Sequence, residues 1–72
     1  MITPAQRELL TPTELMAVTQ RVLTPRQYDV WVLHHAGMSQ RSIALHLDLD
    51  RGTVRHHITA SLRRLRKAGA IE

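Results

Sequence analysis

The apolar residues of the C-terminal half fall into two helical stripes separated by a corner. Ile43, Ala44 and Leu47 have the spacing of a one-sided helix, and Val54, Ile58, Leu62 and Leu65 then recur every three or four positions. This predicts a short helix over about 40–47, a turn through Leu47, Asp48 and Leu49, and a longer helix from just after Asp50 to about Lys67, where Gly69 stops it. Upstream, Leu15, Met16, Val18 and Val22 are the candidates for burial in a helix from Pro12 to Arg21 or Val22. Val30, Trp31, Leu33 and His34, with Tyr28 near the start, form the inward stripe of a helix from Pro25 to Ala36 that ends at Gly37, with Met38 folding back against it. No stretch has the alternation of a strand. The expected fold is all-α: a small four-helix domain over residues 11–69 that contains a helix-turn-helix at 39–67.

Capping chemistry sharpens these boundaries. Thr3-Pro4-Ala5-Gln6, Thr11-Pro12-Thr13-Glu14 and Thr24-Pro25-Arg26-Gln27 form a local repeat of capping boxes. In each, Thr is the N-cap, Pro takes the first helical position because its missing N–H would have no partner there, and Glu or Gln reaches back. Leu10 with Leu15 and Leu23 with Tyr28 add hydrophobic staples to the last two. In the first box Arg7 stands where the apolar member belongs, so residues 1–10 are expected to be a flexible arm or short extra turn. Ser39 is the expected N-cap of the short helix. Asp50 caps the long one, with Leu49 and Val54 as its staple. At Asp48 the corner needs a positive φ, which Asp tolerates better than most residues.

Composition changes the picture mainly through charge. Residues 51–67 carry Arg51, Arg55, Arg63, Arg64, Arg66 and Lys67 and no acid, hence +6, whereas the rest carries four arginines against six acids, hence −2. That concentration on one helix is the footprint of a polyanion-binding surface rather than of a solvated face alone. Seventy-two residues form one domain, which buries only about 60% of the surface its unfolded chain exposes. Cysteine is absent, so neither disulfides nor thiolate metal sites contribute. No apolar run reaches the roughly 18 residues of a membrane span, and no signal-peptide pattern opens the chain. A cytoplasmic, nucleoid-associated protein is expected.

On a 100° wheel with Val54 at zero, Ile58, Leu62 and Leu65 lie within about 80°. Gly52, His56, Thr59 and Arg63 occupy the opposite side, flanked by Thr53 and Arg55. The first turns of a recognition helix enter the major groove, which makes Arg51, Thr53, Arg55, His56 and Thr59 the base-reading candidates. Gly52 would let the helix approach closely. Phosphate contacts are expected from Arg63, Arg64 and Lys67 and from Ser39, Gln40 and Arg41 at the start of the short helix, with Thr24 and Arg26 as further candidates. Because His56 lies on the groove face, binding is expected to tighten as pH falls.

With these residues placed, 23–67 resembles the helix-turn-helix of LuxR-type regulators and of sigma factor region four. LTPRQYDVWVLHHAGMS resembles the lead-in helix, SIALHL the scaffold helix and RGTVRHHITASLRRLRK the recognition helix, over 45 of the 72 residues. The Arg-rich ending and the helix at 12–22 resemble region four more closely. Asp48 departs from the Gly usual at the turn. The resemblance implies binding of double-stranded DNA by a small transcriptional regulator or accessory factor. Its alternative is an interaction module that engages RNA polymerase or another regulator with little DNA affinity.

Other chemistry lacks its residues. The five histidines include two adjacent pairs, His34–His35 and His56–His57, whose members point about 100° apart, and no pair at i, i+4 exists to hold a metal. His57 is expected at the core edge and His34 and His46 as buried or half-buried. Without paired carboxylates, a nucleophile-base arrangement or a Gly-rich phosphate loop, neither an enzyme nor a cofactor is expected. A homodimer is a further expectation: the helix at 12–22, through Leu15, Met16 and Val18, or the chain end, through Ala68, Ala70 and Ile71, offers an apolar face. Completing the core is the competing role for the first.

Overall fold

The computed structural model describes residues 1–71 and contains five helices: α1 (Pro4–Leu9), α2 (Pro12–Val22), α3 (Pro25–His35), α4 (Gln40–Leu47) and α5 (Arg51–Ala68). Among the described residues there is no strand. All three Thr-Pro boxes close. The side chains of Thr3, Thr11 and Thr24 accept from the N–H three residues on, and Gln6, Glu14 and Gln27 accept the N–H of the capping threonine. Residues 1–10 are therefore a capped helix. It is tied to the far end of the chain, with the Ile2 N–H donating to the Ala68 carbonyl (2.8 Å) and Arg7 Nη1 to the Gly69 carbonyl (3.0 Å). Arg7, which breaks the staple pattern, makes the side-chain part of the tie.

Three helices end alike. Gly37, Asp48 and Gly69 have φ of 93°, 55° and 80°. The residue after each donates to the carbonyl five positions earlier: Met38 to Leu33, Leu49 to Ala44 and Ala70 to Leu65, at 3.2, 2.8 and 2.9 Å. These are Schellman closures, which satisfy carbonyls the helices leave open. A Cβ at Gly69 would also overlap the Ile2 carbonyl, so both the turn and the α1 tie require glycine there.

The core has two parts. Val30, Ile43, Ala44, Val54 and Ile58 join α3, α4 and α5, bordered by Leu33, Met38, Leu47 and Leu49. Leu23, Trp31, Leu65 and Ala70 form the second part with Val18, Val22, Tyr28 and Ile71 at its margin, and Leu62 borders both. Neighbouring residues Val30 and Trp31 thus face different clusters, because α3 is covered on two sides. Burying a side chain such as Leu65 is worth roughly 1.5–3 kcal/mol.

Several expectations need correction. No residue of α2 is fully buried, and Met16 is 45% exposed, because it lies on the side of α2 away from Val18. His34 and His46 are exposed. His34 follows the inward stripe by spacing, but on the last turn of α3 its imidazole stays in water rather than lose hydrogen bonds in the core. Ala70 is consumed by the chain's own second cluster. Ser61 is completely buried on the apolar face of α5, at a position the stripe of larger side chains passes over.

Candidate nucleic-acid interface

The corner between α4 and α5 is fixed from both sides. Asp48 takes the left-handed conformation (φ 55°, ψ 49°), as its place in the turn predicts, and Leu49 packs at the edge of the first cluster with Ile43 and Ala44. Asp50 then caps α5, its Oδ1 accepting the Thr53 N–H at 2.8 Å. Hydrogen bonds from the Thr53 side chain and then its backbone hold the Asp50 carboxyl below the usual aspartate range. Val54, Ile58 and Leu65 pin the inner face of α5. The register of its outer face follows.

On that outer face Gly52, Arg55, His56, Thr59 and Arg63 are all exposed. Arg51 is exposed closer to the corner. Thr53 is half-buried and bonded to Asp50, so it acts first as the partner of the cap. Gly52 has ordinary helical φ, and an added Cβ would meet only Asp50 Oδ1, at 3.8 Å. Nothing within the fold requires glycine at this position. His57 is half-buried at the core edge, its ring 6.3 Å from that of His56.

The charged flanks divide by task. Arg63 and Lys67 project into solvent. Arg64 is exposed too, but its Nε donates to the Val22 carbonyl at 3.1 Å, closing the C-terminus of α2 against α5. Arg66, absent from the expected contacts, is exposed on the same flank as Arg55 and Thr59; its wheel position of about 120° would have indicated it. At the start of α4, Ser39 accepts the Ser42 N–H and donates its hydroxyl to Ser42 Oγ, at 3.1 and 3.0 Å. Gln40 and Arg41 sit in the first turn, whose N–H groups have no intrahelical acceptor. Thr24 caps α3, and Arg26 is exposed on its first turn. Among the described residues, no three His, Cys, Asp or Glu side chains converge to hold a metal, and no helix is long and apolar enough to cross a membrane.

A short helix, a left-handed corner and a cationic second helix, both packed on a third, define a helix-turn-helix DNA-binding regulator domain. The chain belongs to the bacterial regulatory proteins of the luxR family, whose model it matches over residues 21–71. No curated protein and no solved structure matches it. The family match starts at the end of α2, so α1 and nearly all of α2 lie outside it.

Proposed function

We propose that the chain is a sequence-specific double-stranded DNA-binding protein, a small transcriptional regulator or accessory factor, whose α5 enters the major groove. The observation that carries this reading is the solvent face of α5, where Arg55, His56, Thr59 and Arg63 follow a glycine that the fold does not need. In this reading Arg51, Arg55, His56 and Thr59 meet base edges, with Thr53 contributing from beside the cap. An arginine that bridges both acceptors of a guanine supplies roughly 1–3 kcal/mol of discrimination. Arg63 and Lys67 meet phosphates along the last turns of α5, and the remaining donors of Arg64 reach the same strand. Ser39, Gln40 and Arg41 grip the backbone from the first turn of α4, where the helix dipole favours an anion.

Selection from a random duplex pool tests this directly. The expected result is enrichment of a short common sequence, with the Arg55→Ala/Arg63→Ala variant losing retention while keeping its helical content. A pool without enrichment, together with a variant that binds like the wild type, would refute the reading. It would leave the fold as a module that engages RNA polymerase or another regulator.

A further inference from the structure

The helix that lies wholly outside the family match, α1, is bonded to the far end of α5. Its six residues are too few for a helix to stand by itself, and none of them is buried to anchor it. Among residues 1–10 only Ile2, Arg7 and Leu10 are half-buried. Two of these three make the bonds: the Ile2 N–H donates to the Ala68 carbonyl at 2.8 Å, and Arg7 Nη1 donates to the Gly69 carbonyl at 3.0 Å.

What these bonds supply is particular to a helix end, where the last four carbonyls have no intrahelical donor. The turn at Gly69 covers two of them, since the Gly69 and Ala70 N–H groups donate to the carbonyls of Leu65 and Arg66. The Ala68 carbonyl is covered from outside, by Ile2. Arg7 also sets a cation against the negative end of the helix dipole. Lys67 belongs to this last turn and is exposed, so its backbone is ordered only as far as the turn is. Arg64 differs, because it precedes the fully buried Leu65 and is bonded to the Val22 carbonyl. Of the cations on α5 assigned to phosphates, Lys67 is therefore the one whose place depends on α1.

We propose that α1 is a latch on the end of α5, and that Arg7 is a positioning residue for DNA binding that acts through Lys67. With the latch closed, the last turn keeps its helical geometry and the Lys67 ammonium meets a phosphate in register with Arg63 and Arg64. With the latch open, the turn frays, and the same contact carries the entropic cost of ordering it. By linkage, bound DNA closes the latch by the same factor that the closed latch favours DNA. The consequence for DNA rests on the proposed function; the latch rests on the fold alone, and each is tested separately.

Amide hydrogen exchange of the full chain tests the latch without DNA. Two variants open it: Arg7→Ala, and Ile2→Pro, which removes the other donor while keeping every charge. In both, the Gly69 and Ala70 amides are expected to exchange roughly two- to tenfold faster, the range of one ordinary hydrogen bond, with the Ile58 amide unchanged. Unaltered exchange at Gly69 and Ala70, or acceleration that reaches Ile58 equally, would overturn the latch. Duplex affinity across a salt series tests the coupling. Each variant is expected to bind several-fold more weakly and to lower the salt slope by about one, as the loss of one phosphate contact does. In a chain that already carries Lys67→Ala, Arg7→Ala is expected to change neither. An Arg7 effect that persists without Lys67 would make Arg7 a phosphate ligand itself and overturn the positioning role, and an Ile2→Pro variant that binds like the wild type would overturn the coupling. A wild type that binds no duplex would refute the DNA reading and the coupling together, while the exchange result still decides the latch.

Discussion

Asp48 holds the one non-glycine positive φ among the described residues, at the corner on which the placement of α5 depends. Left-handed backbone costs a side-chain-bearing residue roughly 1 kcal/mol, somewhat less for Asp. Asp48→Gly is therefore expected to raise the melting temperature by a few degrees, since roughly 1 kcal/mol moves a domain of this size by about 4–8 °C. A fall would mean that the aspartate side chain supports the corner. Ser61 is strained in another way: its Oγ is buried in α5 with no hydrogen-bond partner. An orphaned hydroxyl costs about 1–3 kcal/mol, and alanine is also the better helix former. Ser61→Ala should stabilise by about 1 kcal/mol in denaturant unfolding. Asp50 gives a pH signature. Its folded carboxyl titrates below the ordinary aspartate value, so its contribution is complete above that value and is lost as pH falls through the lowered one. Helicity measured on acidification should fall earlier in wild type than in Asp50→Asn, whose cap does not titrate.

At the scale of elements, α5 carries the functional claim, and Gly52 tests it without disturbing the fold. The space around an added Cβ is open, and replacing helical glycine by alanine gains up to about 1 kcal/mol. Gly52→Ala should melt higher yet bind duplex more weakly, because the methyl holds the helix off the groove. Equal or tighter binding in a fluorescence-anisotropy titration would remove the reason given for that glycine. Helix ends were the most legible part of the chain, since Thr-Pro boxes, Ser39, Asp50, Gly37 and Gly69 are local signals written within five residues. The ties between distant parts were not. The Ile2–Ala68 bond joins backbone atoms of residues far apart in sequence and leaves no side-chain trace, and Arg64 on the Val22 carbonyl looks from sequence like any other exposed cation. Val30 and Trp31 were both expected to face inward, but their entry into different clusters was hidden for a related reason: periodicity reports one face, and α3 has two. For the candidate interface, the wheel correctly separated the inner from the outer face of α5, but it could not show that Thr53 is bound to the cap.

Across the whole molecule the arrangement is polar in the geometric sense. α5, 18 residues and so about 27 Å long, has its first turns fixed by α3 and α4 and its last tied to α2 and to the N-terminal segment. One end is available to read bases and the middle and far turns to hold phosphates. Six of the ten Lys and Arg residues lie on this helix with no acid among them. The central claim is that Arg63, Arg64 and Lys67 of α5, joined by Arg41 of α4, meet DNA phosphates, and counterion release makes it measurable. Four neutralised phosphates give a slope of about −4 in log affinity against log salt concentration. The decisive measurement is duplex affinity across a salt series: a slope near that value is predicted, and an affinity that barely changes with salt would contradict the account.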